Sequence, residues 1–161
     1  MILASVLTAA LAHGSPAPNM DDLAFGLGAL HWGMPAREAR RRIPALDGNE
    51  PEPGQPDAQL MQSGYSIAGC RFTLTLDFEQ AALAEIELES EGTRQLQACN
   101  NRVKALLVRQ YGGENGGFSA ARNPHGLSEY ASWSGARTDV TYGALKNGFI
   151  DITFRRRDRG R

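Results

Sequence analysis

The chain has 161 residues, of which 42% are hydrophobic and 22% are charged, a composition typical of one globular domain with a buried core. Its formal net charge of −1 provides no general attraction to nucleic acid or to an anionic membrane surface, so we expect neither as a partner. Acidic residues nevertheless dominate one region, because ten of them and a single basic residue, Arg71, lie between Asp47 and Glu91.

The N-terminal stretch is typical of an export signal. Residues Ile2 to Ala12 are apolar or small, a run too short to span a bilayer but suited to the apolar region of a signal peptide that ends in Ala10-Leu11-Ala12. We predict a signal peptide over residues 1–12, a flexible segment over 13–24 and a periplasmic or secreted protein, with a buried N-terminal helix as the alternative. No cysteine follows the run, so we expect no lipid anchor, and no other segment suits a membrane span.

The first helix is predicted to begin at Pro35, since a proline lacks only an N–H group that would be unpaired in the first helical turn. Apolar residues then recur at helical spacing: Ala36, Ala39 and Ile43. Pro44 ends the run, because proline breaks a helix interior. The single domain is expected to cover residues 25–157, followed by a basic tail over 158–161 that is a solvated terminus or, alternatively, an arm that binds polyanions.

This helix start resembles that of small bacterial envelope proteins. The matching residues are Gly33, Met34, Pro35, Glu38 and Pro44, about a dozen positions when the intervening ones are counted. The resemblance is to the SmpA/OmlA group of outer-membrane assembly lipoproteins and to the two-layer α/β modules of β-lactamase inhibitor proteins. It implies an envelope protein that binds another protein, without assigning a role to any single residue.

The segment from Asp47 to Ser63 is predicted to be a loop, because it is rich in proline, glycine and acidic residues and contains few apolar ones. A strand is predicted from Cys70 to Phe78, since apolar and polar residues alternate along it. A second strand, Leu83 to Glu89, repeats the pattern after a short turn, so the two are expected to form an antiparallel hairpin. The period then changes to that of a helix from Thr93 to Tyr111, which Gly112 ends.

The only two cysteines, Cys70 and Cys99, fall on the buried faces of this hairpin and this helix. If the helix packs on the hairpin, both sulfur atoms lie in the same layer, and we predict a disulfide between them. Two buried free thiols are the alternative.

The last third of the chain is again strand-like. Strands are predicted over Glu129 to Ser134, Arg137 to Leu145 and Phe149 to Arg155, with a type I′ turn at Asn147-Gly148. The whole pattern predicts an α+β fold in two layers, with an antiparallel sheet of about five strands and two helices packed on one of its faces.

Three glutamates, Glu85, Glu87 and Glu89, point to the wet face of their strand and are the candidate residues for binding a partner. Three interpretations remain open. The stripe is paired with Arg155 and Arg157 on a neighbouring strand, or it faces a basic partner, or it is a plain solvated surface. Because they lie on a wet surface, these carboxylates are expected to titrate normally.

The sequence contains no pattern typical of catalysis. The three histidines have no metal-ligand spacing, and neither a serine-hydrolase elbow nor a phosphate-binding loop is present, so we expect no enzyme, metal or cofactor. A protein-binding envelope domain, acting as an inhibitor, immunity or assembly factor, is the leading hypothesis. Two others remain: a binding module for a small apolar or cell-wall ligand, with Trp32, Trp133 and Tyr130 lining a cleft, and a hydrolase that uses surface carboxylates.

Overall fold

A computed structural model of the chain describes residues 21–49, 57–92, 96–112 and 129–157. Several predictions concern other residues and therefore stay predictions. These are the signal peptide over residues 1–12, the flexible segment up to residue 20, the basic tail over 158–161, the loop between residues 50 and 56, and the beginning of the second helix at Thr93.

The described residues form an antiparallel sheet of seven strands and two α-helices, which confirms the α+β class. In chain order the elements are a 3-10 turn (Leu27–Ala29), α1 (Ala36–Arg42), β1 (Asp47–Gly48), β2 (Ala58–Ile67), β3 (Cys70–Glu79), β4 (Ala82–Ser90), α2 (Leu96–Tyr111), β5 (Glu129–Ser134), β6 (Thr138–Ala144) and β7 (Ile150–Arg156). The strand order across the sheet is β1-β2-β3-β4-β7-β6-β5. The expected number of about five strands is wrong, because β1 and β2 lie in the segment predicted to be a loop.

The prediction of a loop from Asp47 to Ser63 is wrong for Ala58 to Ser63, because these residues belong to strand β2. The sequence of β2 shows no regular alternation of apolar and polar residues. The buried residues Leu60 and Ile67 are an odd number of positions apart, and the apolar Met61 is 43% exposed. A register shift between Gln62 and Tyr65 interrupts the alternation further. The strand forms because β3 offers it backbone partners on both sides of this shift, from Ala58 opposite Phe78 to Ile67 opposite Cys70.

The hydrophobic core lies against one side of the sheet, called here the core face. Every second residue of the central strands points there and is fully or almost fully buried: Phe72, Leu74, Leu76, Phe78, Ile86, Leu88, Val140, Tyr142, Ile150, Ile152 and Phe154. This inward set matches the predicted alternation on β3, β4, β6 and β7. The opposite side of the same strands is polar and is called the open face.

Helix α2 packs on the core face through contacts along its whole length. The Cys70 and Cys99 sulfur atoms are 2.20 Å apart, which confirms the predicted disulfide pair, and Val103 and Leu107 are fully buried. At the other end Tyr111 stacks against Trp133 with ring centroids 6.0 Å apart. Gly112 follows with φ 83°, the left-handed conformation predicted to end the helix.

Helix α1 contributes buried Ala36 and Ala39 to the same core cluster. Pro35 occupies the N-cap position rather than the predicted first helical position, so the helix begins one residue later, at Ala36. The segment before the helix is tied to β4, because the Gly33 amide donates to the Leu83 carbonyl and the Leu83 amide donates to the Met34 carbonyl. Neither helix in the described part of the chain is long and apolar enough to cross a bilayer.

The turn between β6 and β7 differs from the prediction. A type I′ turn needs positive φ at both central residues, but of Asn147 and Gly148 only the glycine has a positive φ, of 86°. The Gly148 amide donates to the Leu145 carbonyl, and the Leu145 amide donates to the Phe149 carbonyl. This is the three-residue hairpin loop in which a type I turn ends in a left-handed glycine.

The β3–β4 turn holds two residues with side chains in the left-handed region, Gln80 at φ 52° and Ala81 at φ 62°. We expect Ala81→Gly to raise the free energy of unfolding by about 0.5–1 kcal/mol, since the relief of this strain exceeds the entropy that a glycine adds to the unfolded chain. Ala82→Gly, one position later in β4, is the control and is expected to destabilise the protein. Urea unfolding of both variants is the measurement, and an equal loss of stability in both would contradict the expectation.

Candidate functional site

The open face is a regular array of polar side chains, because strand register aligns them in three rows across the sheet. The first row is Gln59, Asp77, Glu85, Arg155, Asp139 and Ser134; the second is Met61, Thr75, Glu87, Thr153, Thr141 and Ser132; the third is Thr73, Glu89, Asp151, Gly143 and Tyr130. Most of these residues are exposed or half-buried, whereas the residues between them are buried in the core. The three glutamates predicted to bind a partner thus lie in the middle strand of one continuous surface.

The first row is electrostatically compensated. Asp77 and Glu85 are directly opposite each other, but Gln59 Nε2 donates to Asp77 Oδ1 at 2.9 Å and Arg155 pairs with Glu85 at 2.5 Å. The interpretation that Arg155 lies on a neighbouring strand and pairs with the glutamates is therefore confirmed for Glu85. Arg157 pairs instead with Asp139, at 3.4 Å.

The next two rows hold carboxylates that form no salt bridge among the described residues, and we call Glu87, Glu89 and Asp151 the acidic trio. Glu89 and Asp151 are register partners on adjacent strands, and Glu87 lies two residues from Glu89 on the same face. Within the described part of the chain, no lysine or arginine forms a salt bridge with any of the three. Asp151 Oδ1 is buried and lacks a hydrogen-bond partner among the same residues. Like charges directly opposite each other destabilise a sheet, so the arrangement has an energetic cost.

Two members of the trio, Glu87 and Asp151, have raised pKa values. Burial raises the pKa of Glu87 from 4.5 to about 7, and repulsion from Asp151, Glu89, Glu85 and Asp77 acts in the same direction. Burial, together with the charge of Glu89, also raises the pKa of Asp151. The expectation of a normal pKa does not hold for Glu87, because burial disfavours its charged form and the charges of Asp151 and Glu89 add to the effect.

A groove of about 340 Å³ lies over β5, β6 and β7, and Thr153, the register partner of Glu87, is among the residues that line it. It is lined by hydroxyl and charged side chains of β5, β6 and β7, among them Ser132, Thr141, Thr153, Asp139 and Arg155. Its lining can accept and donate hydrogen bonds, as a polar binding surface requires.

The three aromatic residues predicted to stack on a ligand do not share a cleft. Trp133 is 2% exposed and lies in the core, where its Nε1 donates to the Gly112 carbonyl at 3.4 Å. Tyr130 belongs to the open face, on the other side of the same strand. Trp32 is half-buried, and its Nε1 donates to Thr138 Oγ1 at 2.8 Å. Trp32 borders a cleft of about 480 Å³, lined also by Asp21, Leu30, His31 and Arg137, whereas Trp133 contributes to the lining of the open-face groove.

A polar network under α2 is absent from the sequence-based analysis. Glu129 accepts hydrogen bonds from Asn100 Nδ2 at 3.0 Å and from Lys104 Nζ at 2.9 Å, while the Tyr142 hydroxyl donates to Asn100 Oδ1. Burial raises the pKa of Glu129, but the bonds from Asn100 and Lys104 outweigh it, so that the pKa of this carboxyl is lowered overall. The four residues come from α2, β5 and β6, and no local pattern relates them.

We expect Lys104→Met to lower the free energy of unfolding by about 1–2 kcal/mol at neutral pH, since Glu129 then loses its cation. Because the pKa of Glu129 is lowered by folding, its contribution is present above the ordinary value near 4.5 and is lost on acidification below it. The variant should therefore lose less stability than the parent protein between about pH 5 and pH 3. Urea unfolding at both pH values tests this, with exposed Lys146→Met as the control; equal pH profiles would contradict it.

No protein-family model matches the chain, and no curated protein or solved structure shows significant similarity to it. In the described residues, no group of three or more histidine, cysteine, aspartate and glutamate side chains is arranged to hold a metal ion. The site is therefore interpreted from its own geometry.

Proposed function

We propose that this chain is an exported, non-enzymatic domain that binds a basic protein partner of the cell envelope through the open face of its sheet. The observation that carries the proposal is the acidic trio, three carboxylates that share a surface without a cation among the described residues. An inhibitor, immunity protein or assembly factor would use such a surface.

The negative charge of the trio is confined to one part of the surface, so it suits recognition of a specific partner rather than general attraction of cations. The chain as a whole has a net charge of −1, so its long-range field is weak. A lysine or arginine placed between Glu89 and Asp151 would relieve a repulsion that the domain leaves unrelieved, and it would add charge-assisted hydrogen bonds. Complementary charge of this kind favours one partner over others and speeds encounter with it.

The chemistry of the surface also explains why the interaction is expected to depend on salt. The trio is only partly buried, so attraction to a cationic partner is screened within about 8–10 Å at physiological ionic strength. The neighbouring groove, with its hydroxyl side chains, supplies shape and neutral hydrogen bonds that salt affects less.

Export is the second part of the proposal, and two features support it. The sequence begins with an apolar run followed by small residues suited to signal cleavage. The cysteines are paired, and disulfides persist mainly in oxidising compartments such as the periplasm and the extracellular space.

The direct test is carbodiimide coupling, which joins a carboxylate to a lysine amine in contact with it. The chain from His13 is incubated with envelope extract, cross-linked, and the joined peptides are identified by mass spectrometry. We expect one partner, coupled through Glu87, Glu89 or Asp151 and lost at high salt. Cross-links confined to other carboxylates would contradict the proposal.

A matched pair of variants sharpens this test. Glu87→Lys with Glu89→Lys reverses the charge of the trio, whereas Glu38→Lys with Asp57→Lys makes the same change in net charge on α1 and before β2. We expect the first pair to abolish capture of the partner and the second to retain it. Equal loss in both would show that only net charge matters.

The cleft beside Trp32 supports a second candidate function, a binding module for a small ligand. Trp32 is held in place by its hydrogen bond to Thr138, and the cleft leaves room for a ring to stack on its indole. Titration of the chain with soluble cell-wall fragments tests it. Quenching of tryptophan fluorescence that Trp32→Phe removes would support this function, and no change in emission would exclude it for these ligands.

A further inference from the structure

An arginine side chain lies beside the disulfide, although a purely structural cross-link does not need a cation there. Arg102 lies on the surface of α2, and its Nη2 is 3.2 Å from Cys70 Sγ and 3.6 Å from Cys99 Sγ. A guanidinium in this position has no charge to neutralise while the two sulfur atoms are bonded to each other. It acquires one when the bond is reduced, because a neighbouring arginine lowers the pKa of a thiol and stabilises the thiolate.

Cys99 lies three residues before Arg102 on the same helix, so both sulfur atoms share this one cation. Low thiol pKa values of this origin stabilise the reduced form of a cysteine pair and make its disulfide easier to reduce. We propose that the Cys70–Cys99 disulfide is a redox switch, poised by Arg102 for reduction by a dithiol.

The order of the two steps follows from the position of Arg102. Both cysteines are buried, but Arg102 is nearer to Cys70 Sγ than to Cys99 Sγ, so Cys70 is the better leaving thiolate and the thiolate of the reductant attacks Cys99 Sγ. The S–S bond breaks, a mixed disulfide forms at Cys99, and Cys70 leaves as a thiolate 3.2 Å from the Arg102 guanidinium. The second thiol of the reductant then attacks the mixed disulfide and releases Cys99 as a thiolate. Two electrons pass to the cysteine pair, and the dithiol leaves as a disulfide.

The rest of α2 is anchored independently of the disulfide, so reduction has a local effect. Val103 and Leu107 are fully buried, Asn100 bonds to Glu129, and Tyr111 bonds to the backbone of Asp22 and Ala24. Reduction therefore frees the first turn of the helix, Leu96 to Cys99, while the following turns stay packed on the sheet. That turn follows β4, the strand that bears Glu87 and Glu89, by way of residues 91–95.

The test compares Arg102→Gln, which removes the charge, with Arg102→Lys, which keeps it, and with Arg109→Gln, an exposed arginine two turns further along the same helix. Each protein is equilibrated in dithiothreitol buffers, and the fraction of reduced cysteine is measured. We expect Arg102→Gln to lower the equilibrium constant for reduction about tenfold, equal to about 30 mV for this two-electron couple, and to slow reduction. Arg102→Lys should lie near the parent protein, and Arg109→Gln should match it.

Hydrogen exchange supplies the second measurement. In the reduced parent protein we expect faster exchange in the first turn of α2 and unchanged protection from Val103 to Tyr111. Equal reduction of Arg102→Gln and the parent protein would overturn the proposal. A parent disulfide that resists excess dithiothreitol without denaturant would also overturn it, as would loss of protection along the whole helix.

Discussion

We expect the double variant Cys70→Ala with Cys99→Ala to have a free energy of unfolding about 3–4 kcal/mol lower than that of the parent protein. The cross-link joins residues separated by 29 positions, from the beginning of β3 to the first turn of α2. Its removal gives the unfolded chain the freedom of an open loop, and a longer loop gives a larger effect. Urea unfolding under non-reducing conditions measures the difference.

The same variant is expected to remain folded, because α2 keeps Val103, Leu107 and Tyr111 in the core. Circular dichroism of helix and sheet should therefore match that of the parent protein before the unfolding transition. The parent protein in excess dithiothreitol is the comparison, and it should lose less stability than the double variant, because Arg102 stabilises the thiolates of the folded, reduced protein. A loss below about 1 kcal/mol in the double variant would contradict the role assigned to the disulfide.

The second large effect concerns Glu87. We expect Glu87→Gln to raise the free energy of unfolding by about 1–2 kcal/mol at about pH 8, after allowance for solvent screening of a partly exposed group. Burial and the neighbouring carboxylates raise the folded-state pKa of Glu87 from 4.5 to about 7. The stability linked to its proton is therefore fully present below the ordinary value of 4.5 and is lost as the pH rises through about 7.

Urea unfolding at several pH values between about 5 and 8 checks this sign, because the parent protein should lose stability across that window and the variant should lose less. Asp151, whose pKa is also raised by burial, contributes a smaller loss in the same direction in both proteins. Glu85→Gln is the matched control. It removes the partner of Arg155, so its stability should be unchanged or lower by less than about 1 kcal/mol. Equal gains in both variants would contradict the assignment of uncompensated charge to Glu87.

Much of the fold follows from residue periodicity. The alternation on β3, β4 and β7 predicts which side chains are buried, and the structure confirms the inward set. The parity of Cys70 and the helical spacing of Cys99 likewise predict the disulfide. These features depend on local geometry, since successive strand residues point to opposite faces and residues three or four apart share a helix face.

The features that the sequence does not predict depend on tertiary pairing. Strand β2 has an interrupted alternation and a strongly exposed Met61, so its strand conformation comes from the ladder with β3. The polar network of Glu129 with Asn100 and Lys104 joins segments 25 to 29 residues apart. No local preference brings these groups together.

In the candidate site, too, the sequence predicts the local features and tertiary pairing determines the rest. The sequence predicts that Glu85, Glu87 and Glu89 share an outward face and that Arg155 is a possible partner on another strand. The register of β4 and β7 decides which glutamate is compensated, since it places Arg155 opposite Glu85 and Asp151 opposite Glu89. A shift of one residue would point the whole set to the other face, and one of two residues would change every pair.

The proposed binding of a basic partner depends most directly on one property of the acidic trio, the lack of a compensating cation. An NMR titration of the side-chain carboxyl carbon of Glu87, with Glu89→Gln and Asp151→Asn proteins for assignment, measures this property in the free protein. We expect a midpoint at about 7 for Glu87 and a lower midpoint in the Asp151→Asn protein, which keeps the burial but removes one of the repelling charges. A midpoint near 4.5 in the parent protein would mean that the open face is already compensated, and the argument for a cationic partner would fail.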